Sequence, residues 1–310
     1  MTTAVQSDLT VIAEKSRAAR VRYRPPRFPE IALDCPFVPE AFTQLYHTPL
    51  YAELNNAQQL RYNQLYGLRS NELFMLFEEG FTRRVIWRLK NLCATVDPLL
   101  GECLSLMLEE EADHHRMFLD FNRRVLPDAY RDGRGYFARP SLIESTLLRL
   151  LTSRPVRWPF MLWLILLLEE FSTAFSRLLM AREQTDALSA DYVKLHRLHL
   201  LDETRHVALD VALLERFLPP LSKRHQELNS RVFRGLLREI LAPKRSGIRV
   251  LRALAVEYPE LSVLLPQMET AVRALPHDPG LYPMVADAET LPFTHELFKR
   301  YPTFTFCDIS

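Results

Sequence analysis

The pattern Glu-x-x-His occurs twice in this chain of 310 residues, at Glu111–His114 and at Glu203–His206. The second copy is extended upstream to His199-x-x-x-Glu203-x-x-His206, and an acid directly precedes the glutamate in both, Glu110 and Asp202. Residues three or four apart share one face of an α-helix, so each set can aim at one point in space. Two Glu-x-x-His helices, with one further Glu from each of two others, build a carboxylate-bridged dinuclear metal site inside a four-helix bundle. The fold must therefore bring at least two separated segments into register.

The first copy has apolar neighbours at helical spacing, Leu104, Met107, Leu108 and Phe118. Glu111 and His114 are therefore expected to face inward, where carboxylates and imidazoles are costly unless paired or coordinated. A solvated charged face is the competing reading and fits poorly there. Upstream, Glu78 shares a face with Phe74, Phe81, Val85 and Leu89, whereas Glu79 falls with Glu72, Arg83 and Lys90 on a face that reads as water-facing with local ion pairs. Glu78 is the expected third carboxylate, with Glu79 and Glu72 as alternatives. Gly80, unusual inside a helix, offers room for a close approach. The fourth carboxylate is expected at Glu170, nearer than Glu169 to the face of Phe171, Phe175, Leu178 and Leu179. That helix is apolar nearly all round before this point, so Glu169 stays open. Glu110 and Asp202 are placed to orient imidazoles on the opposite helix, with Arg205 between Glu203 and His206 to neutralise one of them. His196 and Asp210, one turn either side of the second motif, are placed to line the same cavity.

The composition, 48% hydrophobic and 25% charged with a formal charge of +1, suits a globular protein with a sizeable core. It points to neither nucleic acid nor an anionic membrane surface as partner. Eight glycines in the whole chain and recurrent 3.6-residue patterns argue for an all-α protein. Cys35, Cys93, Cys103 and Cys307 form no Cys-x-x-Cys pair, which favours a reducing, cytoplasmic setting. The first eight residues show no basic segment leading into an apolar core, and the apolar run 160–168 is far too short to span a bilayer.

The expected organisation is a single domain over 1–310. It comprises a basic, proline-bearing arm at 1–40 that straps the bundle, a core at about 56–217, and accessory helices and a tail at 221–310. Helices are expected near 56–96, 99–125, 141–152, 158–183, 187–217, 221–241 and 246–274, with Pro219-Pro220 ending the motif helix and an irregular final segment.

Carboxylates and imidazoles without thiolate suit iron or manganese better than copper or structural zinc. The order Glu78…Glu111-x-x-His114…Glu170…His199-x-x-x-Glu203-x-x-His206 resembles the p-aminobenzoate N-oxygenase family of ferritin-like di-iron oxygenases. The string Asp202-Glu203-Thr204-Arg205-His206 resembles that family's Asp-Glu-x-Arg-His signature. Over residues 56–217 the resemblance implies a ferritin-like four-helix bundle binding two Fe ions, with O2 as co-substrate and electrons from an external donor. It further implies oxidation of a small arylamine or other amine through a peroxo adduct, in specialised metabolism. Ligands define the oxidant and not the substrate, so a di-iron hydroxylase or desaturase acting on C–H bonds is the alternative within enzymes. A non-enzymatic iron-binding or storage bundle is the alternative outside them. Mixed iron–manganese occupancy and a homodimer are compatible with the pattern.

Overall fold

The computed structural model describes residues 8–28, 30–218 and 222–304. Every regular element among them is helical, in an all-α bundle. Pro219 and Pro220, the expected stop of the motif helix, and Cys307 lie outside the described residues.

Four long helices carry the motifs. α2 (Asn56–Phe77) starts at a capping box, in which Asn55 accepts from the Gln58 amide and the Gln58 side chain accepts in return from the Asn55 amide. It runs without a break through a π-helical turn, Glu78–Thr82, into α3 (Arg83–Cys93). In that turn the Arg83 N–H reaches Glu78 O, five residues back, and the added residue rotates everything downstream. α4 (Pro98–Val125) has Asp97 as its N-cap and proline at its first position. After the short α5 (Leu142–Thr152) come α6 (Phe160–Arg182) and α7 (Ala190–Phe217), which pack along their length. α1 (Leu9–Arg22) lies across α4 and α7. It is held by ion pairs of Arg17 with Glu102 and of Arg20 with Asp113, and by Arg205 donating to Ser16.

Beyond the bundle come α8 (Lys223–Leu241), α9 (Lys244–Glu257), α10 (Leu265–Ala274), α11 (Tyr282–Ala286) and α12 (Pro292–Arg300). The helix expected over 246–274 is broken by Pro259, which starts a 3-10 turn, Pro259–Val263. The expected irregular end holds α12, whose start depends on a side chain more than a hundred residues earlier.

The apolar run 160–168 is a buried core segment, in one cluster with residues of α3, α4, α7, α8 and α12. Trp163 packs on Phe233, Phe298 and Phe304. Each Leu or Phe buried in this run contributes roughly 1.5–3 kcal/mol, so α6 is the hydrophobic axis against which the motif helices are set. A second core joins α2, α4, α7 and α9 around Phe37, Phe118, Phe121 and Tyr192. No helix among the described residues is long and apolar enough to cross a membrane.

Candidate metal centre

The two motif helices meet through a reciprocal exchange. Asp202 on α7 bonds His114 Nε2 on α4 at 3.1 Å, and Glu110 on α4 bonds His206 Nε2 on α7 at 3.0 Å. Each acid beside a motif glutamate thus grips the histidine of the other motif, and Arg205 Nη2 donates to both acids. With Nε2 engaged, the opposite nitrogen of each ring is turned inward. His114 Nδ1 lies 3.4 Å from Glu203 Oε1, and His206 Nδ1 lies 3.2 Å from Glu111 Oε1 and 3.6 Å from Glu203 Oε1. His199 uses its other nitrogen: Nε2 is 3.0 Å from both Glu78 Oε1 and Glu203 Oε1.

The lone carboxylates are Glu78, from the π turn, and Glu169, from α6. Glu169 Oε2 is 4.0 Å from His206 Nδ1. Three contiguous triads result, Glu78/His114/His199, Glu111/His114/His206 and Glu169/Glu203/His206, each able to bring three donor atoms within 4.8 Å of one another. All seven side chains are buried.

Glu170 is the correction. Its carboxylate accepts the backbone N–H groups of Phe293 and Thr294, both at 2.8 Å, at the start of α12. A helix start leaves amides unpaired, and α12 has no side-chain cap of its own, so Glu170 is drawn away from the cluster and Glu169 faces it. Glu79 is half-buried, outside the cluster, and pairs with Arg83 one turn on. Glu72, grouped with the water-facing side, is buried instead, accepting from the Tyr130 hydroxyl and the amides of Tyr136, Phe137 and Ala138. It holds the connection after α4 in place. His196 and Asp210 do not line the cavity described below. His196 bonds Asn71 among Phe74, Phe118, Phe175 and Tyr192 as a core histidine. Asp210 is buried with neither carboxyl oxygen hydrogen-bonded. Gly80 meets only Leu76 at an ordinary 3.4 Å, so no close packing requires a glycine there.

The cluster fits metal ions on two grounds. The first is a set of buried atoms with no well-formed hydrogen bond: Glu78 Oε2, both Glu111 oxygens, Glu203 Oε1, and Nδ1 of His114 and His206. Buried polar groups are seldom left so; six in one place mark a missing partner. The second is electrostatic. Burial alone would push the imidazoles towards neutrality, yet Glu203 and Glu78 raise His199 to about 10, and Glu203, Glu110 and Glu111 raise His206 well above its ordinary value. Burial and then repulsion from Glu203 and Glu111 push the Glu169 carboxyl well up. The concentrated negative charge favours any cation, and nitrogen and oxygen donors without sulfur favour iron or manganese among metals.

A cavity of about 640 Å³ opens against one side of the cluster. Glu78 and Glu169 form part of its wall, with Thr82 and Ser172 beside them, and the adjoining surface is largely apolar, including Phe74, Phe77, Leu168 and Phe171. Ser172 Oγ also donates to Glu203 Oε2 at 3.3 Å. The cavity wall was not legible in the sequence: Ser172 follows Glu169 by three residues, within one helical turn, but nothing local marks it as different from any buried serine.

A search among curated proteins returns no match. The family model described as P-aminobenzoate N-oxygenase AurF matches residues 25–252, from the segment after α1 to within α9. That span contains every side chain of the cluster and most of the cavity wall, and the chain belongs to the p-aminobenzoate N-oxygenase family.

Proposed function

We propose that this protein is an O2-dependent non-haem di-iron oxygenase that N-oxygenates an arylamine or another small amine. The observation that carries the reading is the opening of a buried seven-residue carboxylate–histidine cluster onto one apolar cavity. In this reading Glu78, Glu111, His114, Glu169, His199, Glu203 and His206 hold the metal. Two irons bound there would supply O2 binding and reduction.

The protein's own residues do the rest. Asp202 and Glu110 lock the His114 and His206 rings so that Nδ1 points inward. Phe74 and Phe118 pack against the His199 ring and keep water from that flank. The cavity holds the amine beside Glu78 and Glu169, the two cluster members in its wall. The first oxidation balances as R–NH2 + O2 + 2 e⁻ + 2 H⁺ → R–NHOH + H2O, with the electrons from an external donor. Repetition gives the nitroso and nitro levels.

The test is the iron content of reduced protein, the optical spectrum after O2 is added, and product analysis across amines. About two irons per chain, an O2-dependent visible band and N-oxygenated product are expected. A loaded protein that consumes O2 equally with and without amines and oxidises only C–H bonds would overturn the reading.

A further inference from the structure

The rim of the cavity is built from two segments. The lining residues that are also exposed are Arg139, Pro140 and Leu147, from the stretch that leads through α5, and Arg238, Glu239 and Arg245, from the end of α8 and the start of α9. Arg69, deeper in the wall, is buried and tied to Ser246 and Asp278, so the cations open to a partner are those outside it.

α5 starts at a capping box, with Glu144 accepting from the Ser141 amide and Ser141 Oγ accepting from the Glu144 amide. Leu148 and Leu151 attach one side of it to the core. Its other side is apolar too. Leu142, Ile143, Leu147 and Leu150 share one face, and all four are exposed, Leu142 and Ile143 by 88% and 81%. Single exposed leucines are ordinary, but a row of four on one helix face is an interaction surface.

The charge around this row is one-sided. Segments 139–157 and 223–249 hold twelve basic and three acidic residues, a formal +9 in a chain whose total is +1. The Glu144–Arg245 ion pair at 2.8 Å and a bond from Asn229 Nδ2 to the Arg157 carbonyl at 3.5 Å tie the two segments side by side. Arg149, Arg154 and Arg157 follow the apolar row. α8 presents Arg224, Arg231 and Arg238 two turns apart on its exposed side, with Leu228 between them. Among the described residues no carboxylate pairs with any of these six arginines.

Charge and shape decide the occupant. A second copy would bring the same positive charge to a shared face, which like charges oppose. The row also projects on a helix rather than lining a groove, so it suits a partner that yields around it. An anionic bilayer offers phosphates to the arginines and an apolar layer to the leucines. Amphipathic helices with basic flanks lie in that interface, their long basic side chains reaching back to the headgroups.

We propose that α5 and the outer face of α8 dock on an anionic lipid surface, with the cavity mouth turned towards the bilayer. The inference stands apart from the amine reading: it concerns where the protein works, and it gives apolar molecules a path from lipid to cavity that avoids water. The whole-chain charge points away from such a partner because it averages this face with acidic regions elsewhere.

The experiment is flotation of the full chain with vesicles of phosphatidylcholine alone, and with about a third of it replaced by phosphatidylglycerol, at about 0.1 and about 0.5 M salt. Lipid-bound protein should be about tenfold greater on the anionic vesicles and fall severalfold at the higher salt. Leu142→Ser with Ile143→Ser, both exposed and outside the cavity wall, should lose about tenfold of that binding with helical circular dichroism unchanged. Arg149→Gln with Arg231→Gln should weaken it severalfold. Equal binding to both vesicles, or flotation that the Leu142/Ile143 variant leaves untouched, overturns the proposal. Absence of flotation overturns it as well. In that case a dimer in sedimentation velocity that the same variant dissolves assigns the face to a second copy, and capture of polyglutamate without a dimer assigns it to an acidic protein.

Discussion

The paired motifs on α4 and α7 and the lone glutamates on the π turn and α6 serve one cluster, but they are positioned by different physics. On α4 and α7 each donor has a partner three or four residues away, so the spacing alone decides which face turns inward. The reciprocal bonds from Asp202 to His114 and from Glu110 to His206 then join the two helices directly. Glu78 and Glu169 have no such companion. Each is one of two adjacent glutamates: Glu78 is set apart from Glu79 only by the apolar face it shares, where the π turn begins, and Glu169 is set apart by the need of α12 for a cap that takes Glu170. Periodicity places a pair firmly and a single residue weakly.

Removing the centre of the paired motif should have the largest effect. Glu203 lies between all three cluster histidines, so Glu203→Ala is expected to abolish bound iron and N-oxygenation while helical circular dichroism persists. Metal analysis of the variant decides it, and retention of two irons would show that the cluster is not organised around Glu203.

The adjacent pair on α6 should separate next. Glu169→Ala is expected to lower iron content with little loss of stability. Glu170→Ala should keep the iron and lose about 1–3 kcal/mol, because the buried Thr294 amide and the part-buried Phe293 amide at the start of α12 lose their acceptor. Denaturant melts alongside iron assays resolve the two. Iron loss from the Glu170 variant with none from the Glu169 variant would return the ligand to the position expected from periodicity.

This pair also shows what a single sequence can disclose. The all-α architecture, both motif helices, Glu78, and the roles of Glu110 and Asp202 follow from spacing and burial pattern. Glu169 does not, because the residue competing for its neighbour is the backbone of Phe293 and Thr294, far along the chain. Glu72 was misread for the same reason: three amides of 136–138 and Tyr130 bury a residue whose helical neighbours look solvated. Arg69 was invisible as a cavity group because its partners, Ser246 and Asp278, come from α9 and the segment before α11. Local rules disclose what local spacing determines, and tertiary partners decide the rest.

Smaller effects are expected where an acid only orients an imidazole. Glu110→Gln and Asp202→Asn should each reduce metal affinity roughly 10- to 100-fold. Both acids share Arg205, so the double variant should fall short of the product of the two single effects. Competitive chelation measures this, and full independence would mean that Arg205 does not couple them.

The smallest effect tests the helix starts. α4 is capped by Asp97 and α7 by Ser189, whereas α6 begins at Pro159 with no side-chain cap. The two paired-motif helices are thus fastened at their own ends, while α6 is fixed by burial. Asp97→Ala should cost about 1 kcal/mol, seen as a lower unfolding midpoint with iron content unchanged. The Leu100 amide and Arg216 hold the Asp97 carboxyl below its ordinary value. A group lowered by folding stabilises above its unfolded-state pKa, about 3.9, and loses that contribution as pH falls through the folded value. The gap between wild type and Asp97→Ala should therefore be constant above about pH 5 and narrow below about pH 4. A gap that persists undiminished into acid would assign the loss to packing at the start of α4 rather than to the charged cap.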